Sequence, residues 1–494
     1  MDEPSEGADS FLKLQVSLPS GRCATLSILQ SGSIGDLKVA AQESLGRGFL
    51  RLAAPDGRLL DPSESLEFSG LEDGESVAAV AQLPMVAVTG TAFALSCAGS
   101  NRIVTWGMQE FGGCSEAIQD KLMNVQQINA TAFAFATILA DGSVVTWGSS
   151  SCGGNSAAVK DQLKNVKEIH ATDLSFAAIL ADGSLVTWGN QSRGGNSARV
   201  RSQLRRVQQV HATAFAFAAI LADQTVVTWG SRLAGGDSTR VRRQLRNVLN
   251  IKATRRAFAA ILANGKVVTW GEPTDGGDST AVRRRLKNVR QIQATTTAFA
   301  AILTDGTVVT WGNRHAGGSS TAVRDQLWNV QHIYATDRSF AALRADGVIV
   351  TWGHPRYGGD STSVRDQLKN VQHVYATAHA FAAISADGTV VTWGDPSRGG
   401  DSTAVREQLR NIQEIHTTAF AFAAILANGS VVTWGSAICG GDSTAVQAQL
   451  RNVQQIHATK GAFAAILGDG TVVTWGNPNC GGDSSTVQAQ IPYI

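Results

Sequence analysis

The sequence predicts an all-β repeat array of ten 41-residue units, preceded by a small α+β domain. Three observations predict it. Trp106, Trp147, Trp188, Trp229, Trp270, Trp311, Trp352, Trp393, Trp434 and Trp475 recur every 41 residues with no insertion. Every interval holds the same run of short β-permissive segments separated by turn residues, and residues 1–82 lack the period. A fixed period of this length marks a stack of like units, each too small to close a core alone and completed by its neighbours.

Taken in order, the opening MDEPSEGADS is acidic and polar, and residues 1–10 are expected to be disordered. A domain follows over 11–82. FLKLQVSLPSG and CATLSIL read as two strands around a Pro-Ser-Gly turn. In SIGDLKVAAQESLG, Ile34, Leu37, Ala41 and Leu45 fall at helical spacing with Ser33 as N-cap. LRLAAPDGRLLDP and GESVAAVA supply further extended segments. The array spans 83–492, and the boundary predicts that it folds without the first domain.

Residues 206–246 stand for every copy. VQQVHAT is a short strand, AFAFAAILA an apolar strand, and TVVTWG a β-branched strand closed by an aromatic residue. Asp-Gly or Asn-Gly joins the last two in most copies, because these residues accept positive φ in a tight hairpin. Copy four has Asp223-Gln224 there and should lose a little local stability. Side chains of a strand alternate between faces, so Val145 shares a face with Trp147, and Val144 with Thr146. Gly-Gly then permits a reversal, the following Asp or Asn caps the next turn, and STAVRDQL suits either one or two helical turns or an irregular strand. The ten tryptophans are expected at the seams between copies, where truncation to alanine costs roughly 3–5 kcal/mol.

Two parts of the chain carry resemblances. Residues 11–82, with the hairpin, the helix opened by SIGDLKVAAQ and the closing GLEDGESVAAVA, resemble a ubiquitin-like domain. Embedded members of that family act as docking modules, which implies a ubiquitin-pathway receptor as a partner. NVQHVYATAHAFAAISADGTVVTWGDPSRGG, at 370–400, resembles the regulator-of-chromosome-condensation (RCC1-like) repeat. That likeness implies a β-propeller serving as an interaction platform, with nucleotide exchange on a small GTPase as one branch of the family. The units here are shorter than those of the exchange factor, Ala-Thr replaces the usual second-strand glycine and histidine, and ten copies exceed the usual blade number. An enlarged ring, a smaller ring with extra units and an open β superhelix all remain compatible with the count.

Chemistry is scarce in the pattern. The six cysteines show no CxxC pair. His170, His211, His416 and His457 share one repeat position with Asn129, Lys252, Gln293, Tyr334 and Tyr375, as a semi-exposed ladder site would. Asp237, Asp278, Asp360, Asp401, Asp442 and Asp483 read as turn caps, with calcium as an alternative. No nucleophile elbow or phosphate loop occurs, so neither catalytic residue, metal nor cofactor is expected. The acidic start is the reverse of a leader, and no run approaches the roughly 20 apolar residues that span a bilayer, so a cytoplasmic or nuclear protein is expected.

Charge breaks the symmetry. Between Arg199 and Arg290 stand 18 Lys or Arg and 5 Asp or Glu, a local +13 in a chain of net +2. The candidate partner-binding residues are Arg199, Arg201, Arg205, Arg240, Arg242, Arg243, Arg246, Arg255, Arg256, Arg283, Arg284, Arg285, Lys287 and Arg290. Because Arg201, Arg242 and Arg283 recur every 41 residues, they should line up on adjacent copies and sum into one basic ridge. The ridge suits an acidic protein surface; nucleic acid or an anionic lipid is the alternative, and drifted charge on a solvated surface would look the same. The expected function is a non-catalytic scaffold or adaptor, possible links being to ubiquitin signalling. An exchange regulator of a small GTPase is the competing reading, although the fixed interval leaves no long loop to act as a wedge.

Overall fold

The computed structural model describes residues 10–62, 64–97 and 100–493, so the segment expected to be disordered lies, except for Ser10, outside the described residues. The first domain comprises β1 (Phe11–Ser17), β2 (Cys23–Leu29), α1 (Ile34–Leu45), β3 (Leu50–Ala53) and β4 (Ser76–Ala81). Its sheet runs β2-β1-β4-β3, with β1 and β4 parallel and the other pairs antiparallel. Leu12, Leu14 and Val16 alternate inward from β1 onto Ile34, Leu37, Ala41 and Leu45 of the helix. Ser33 begins that helix by a reciprocal cap: its hydroxyl accepts the Asp36 N–H at 3.2 Å, and the Asp36 carboxylate accepts the Ser33 N–H at 2.8 Å. Gly46 ends it in the left-handed conformation.

Each of the ten copies folds as its own three-stranded antiparallel sheet. In copy four the strands are Val207–Ala212, Ala216–Leu221 and Val226–Gly230. Phe217 lies opposite Trp229 and stacks on it with ring centroids 5.1 Å apart. The middle strand is closed off on both faces: Ala216, Phe217, Ala218 and Ala219 have no exposed surface. Its Phe217 and Ala219, with Val227 and Trp229, pack on Ala177 and Ile179 of copy three. The opposite face, Ala216, Ala218, Ile220 and Val226, receives Phe258 and Trp270 of copy five. Small residues on one face thus leave room for the next copy's large rings, which is how a repeat fills the space between sheets at interior density.

Two turns hold neighbouring copies at that spacing. The residue opening the first strand sits at positive φ, as Asn247 does at 54°, and asparagine tolerates that conformation better than most residues. Copy four again departs, with Arg206 and Gln224 at φ 54° and 61°. The first glycine of the Gly-Gly pair has a second reason to be glycine beyond the reversal: a Cβ on Gly235 would stand 2.5 Å from the Phe258 ring of the next copy. The following Asp caps as expected, Asp278 accepting the Thr280 N–H at 2.9 Å. The STAVRDQL segment resolves as 3-10 turns, Thr321–Gln326 in copy six.

The array returns to its beginning. The residue after the threonine that follows each copy's first strand donates its N–H to the same position of the next, from Gly90 to Ala132 at 2.9 Å through Ala419 to Lys460 at 3.1 Å. Lys460 then donates to the Gly90 carbonyl at 3.2 Å. Phe93, Leu95 and Trp106 of copy one pack on Ala462, Ala464 and Ile466 of copy ten, so ten inter-copy cores serve ten copies. Among the described residues the sheets stay separate and no strand ladder runs between them. Packing and the turn circuit join the copies.

The first domain leans on the joint between copies ten and one. Phe49 is 3% exposed and belongs to that core, beside Phe93 and Ile491. Gly48 donates to the Gly468 carbonyl at 3.3 Å, and Asn101 of copy one donates to the Asp61 carboxylate at 2.7 Å.

Candidate functional site

The tryptophans occupy the seams. Trp270 is 4% exposed, stacks on Phe258 of its own copy, and donates Nε1–H to the Gly235 carbonyl of the preceding copy at 3.0 Å. The same bond recurs around the array and crosses the joint, where Trp106 donates to Gly481 at 3.1 Å. The off-ladder Trp328 is instead exposed, with the Arg344 guanidinium 3.6 Å over its ring.

The predicted basic residues divide into two places. Arg199, Arg201, Arg205, Arg240, Arg242, Arg243, Arg246, Arg283, Arg284, Arg285 and Lys287 are exposed on the segments that join copies three to six, and Arg290 is exposed on the strand Val289–Ala294 that follows. Their alignment has a visible cause: Arg201, Arg242 and Arg283 each reach back to a glutamine of the preceding copy, Gln162, Gln203 and Gln244, at 2.8, 2.7 and 3.1 Å. A glutamine carbonyl orients the guanidinium without neutralising it, so the charge stays available. Arg290 bridges onward, donating to the Val330 and Gln331 carbonyls.

Arg255 and Arg256 lie elsewhere. They follow the first strand of copy five (Val248–Ala253), at the end opposite Arg246. Arg256 is held by Asp275 at 2.8 Å, a carboxylate whose side chain is only 3% exposed, with Glu272 at 3.9 Å. Carboxylates of its own copy meet its charge, although its side chain is 41% exposed. Arg255 lines a channel of about 970 Å³ to which the same turn of all ten copies contributes, Ala-Thr in eight of them, Val88-Thr89 in copy one and Thr417-Thr418 in copy nine.

That channel was not read from the sequence. The position after the threonine of this turn holds Gly90, Ala132, Ala214, Thr296, Ala378 and Ala419 in six copies, but Asp173, Arg255, Asp337 and Lys460 in the others. Aligning the copies and looking for one position that alternates between small and charged residues would have found it. Burial raises the carboxyl pKa of Asp173 and of Asp337, opposed in both by the positive fields of Arg255 and Lys460. Around the mouth, adjacent turns pair differently from copy to copy: the Arg193 guanidinium lies 4.2 Å over Phe215, and Tyr357 stacks on His379 at 4.2 Å.

The histidine ladder is half-buried. Burial, then the neighbouring His170 and Lys252, lowers the His211 pKa to about 4; burial and His416 do the same to His457. Among the described residues no group of three or more His, Cys, Asp or Glu is placed to hold a metal ion, and no helix is long and apolar enough to cross a membrane.

Comparison with protein-family models and with curated proteins gives no match. Among solved structures, the chain is similar to Prp20p from Saccharomyces cerevisiae at 17% identity, covering 56% of this chain and 73% of that one, with a TM-score of 0.32. The ectodomain of the Physcomitrella patens receptor kinase CR4 is similar at 17% identity over 53% of this chain and 71% of that one, TM-score 0.31. The ubiquitin-like domain of Plasmodium falciparum Dsk2 matches at 23% identity over 14% of this chain and 97% of its own length, TM-score 0.13. The likeness is distant and partial, to repeat domains for the array and to small ubiquitin-like folds for the first domain.

Proposed function

We propose that the protein is a non-catalytic scaffold, a β-propeller of ten three-stranded blades whose exposed arginines capture a partner with an acidic protein surface. The observation that carries this reading is the arginine ladder of Arg201, Arg242 and Arg283, oriented by glutamines and, among the described residues, without carboxylate partners. Guanidinium groups so held present planar donors to carboxylates at little further entropic cost. The ubiquitin-like domain supplies the second attachment, toward a ubiquitin-pathway receptor, and the protein works in the cytoplasm or nucleus.

The test is charge reversal at Arg242, Arg243, Arg283 and Arg284, all exposed. Co-precipitation with acidic proteins should fall at least tenfold while the melting temperature stays within a few degrees. Equal capture by the variant removes the proposal. Should the loss appear instead toward phosphoinositide vesicles or single-stranded nucleic acid, with acidic proteins unaffected, the ridge reads phosphate and the scaffold reading fails.

A further inference from the structure

The channel is a second site, independent of the outer arginines. With about 4.8 Å between hydrogen-bonded neighbouring backbones, ten turns enclose a circle about 15 Å across, wide enough for a small molecule and lined mainly by Gly, Ala and Thr. Into it project two cations and two anions whose places are set by copy number. Arg255 belongs to copy five and Lys460 to copy ten, half the circuit apart. Asp173 and Asp337 belong to copies three and seven, two copies to either side of Arg255 and three from Lys460. The arrangement is symmetric about the line from Arg255 to Lys460.

A structural role for these charges would be pairing with one another. Among the described residues no ion pair or side-chain hydrogen bond joins any of the four. Arg255 lies 5.6 Å from the Phe215 ring, and both carboxylates are partly buried beside cations that do not reach them. Repetition cannot explain them either, because six copies close the same turn with a small residue. Charges of both signs, held apart around a cavity, recognise a ligand that carries both signs at its ends.

We infer that the channel binds a short linear peptide with free ends, its carboxylate taken by Lys460 and its ammonium held between Asp173 and Asp337. On this circle the backbones of Asp173 and Asp337 each lie about 12 Å from that of Lys460, a gap that the side chains narrow, so the peptide is short. Arg255, between the two acids, opposes the burial that raises their pKa values and offers the alternative anchor for the carboxylate.

The probe is triglycine, titrated into the full chain with saturation-transfer NMR and calorimetry. Saturable one-to-one binding is expected, weakened at least tenfold by N-acetylation and, separately, by C-terminal amidation. The pair Asp173→Ala and Asp337→Ala should abolish the preference for the free amine. The pair Arg255→Ala and Lys460→Ala should abolish the preference for the free carboxylate. Alanine already occupies this position in four copies, so both variants should fold. Absence of triglycine binding, equal binding of the capped peptides, or unchanged binding by both variants would overturn the inference. Charge reversal at Arg242 and Arg283 should leave triglycine binding unchanged.

Discussion

Trp229 joins three interactions in one side chain: stacking on Phe217, burial against copy three, and an Nε1–H bond to the Gly194 carbonyl at 3.0 Å. They can be separated by substitution. Trp229→Phe keeps most of the apolar surface but leaves a buried carbonyl without its donor, at a cost of about 1–3 kcal/mol. Trp229→Ala adds a cavity and should cost about 3–5 kcal/mol. Denaturant titration followed by far-ultraviolet circular dichroism measures both, and an undiminished stability of Trp229→Phe would show that the hydrogen bond contributes nothing. The seam position of the tryptophans was legible from the period alone. Their hydrogen bond was not, because its acceptor is a backbone group of another copy and leaves no residue type to read. The second role of Gly235, giving way to the Phe258 ring, was hidden for the same reason: a close approach across a seam is a property of two copies together.

At the scale of elements, the first strands and the turn that follows one of them carry a pH dependence. His211, His379 and His457 have folded-state pKa values lowered to about 4, with burial the largest cause in each, against an ordinary value of 6.5. The unfolded chain therefore takes up protons between pH 6.5 and 4 that the folded chain refuses, and stability falls as pH drops through that window. Melting temperature should decline from pH 7 to pH 4.5, and His211→Asn with His457→Asn should flatten the decline, since copy two carries Asn129 at this position. An unchanged slope in the double variant would place the titrating groups elsewhere. The strands and hairpin turns of a copy were legible because alternation and Asp-Gly are local signals. The segment after Gly-Gly was open between helix and strand; its 3-10 turns are fixed by contacts with the adjoining copy, which eight residues do not encode. Of the predicted basic residues, all but three lie on exposed joining segments; Arg290 is exposed on the strand just after one, whereas Arg255 and Arg256 are carried to the channel end by the run of the strand between them and Arg246.

Over the whole molecule, counting copies left ring and superhelix equally compatible, because nine of the ten seams are the same in both. The tenth seam decides, and it includes a residue from outside the array. Phe49, at φ 52°, reaches from the first domain into the core between copies ten and one. The expectation that the array folds without residues 1–82 must therefore allow for a weaker joint. Phe49→Ala should raise hydrogen exchange at Gly90 and Lys460 by at least tenfold while copies four and five keep their protection. Uniform change across all copies, or none, would show that the first domain does not secure the joint. A circuit that meets itself also makes the number of units a structural parameter in its own right. Excising one internal 41-residue unit would preserve every kind of local interaction and still leave two faces splayed apart, a ring-bearing face with no alanine face to receive it. Such a protein must strain its remaining seams or recruit a second molecule to cover the gap, so lineages of this architecture can vary the surface of each unit far more freely than they can vary how many there are.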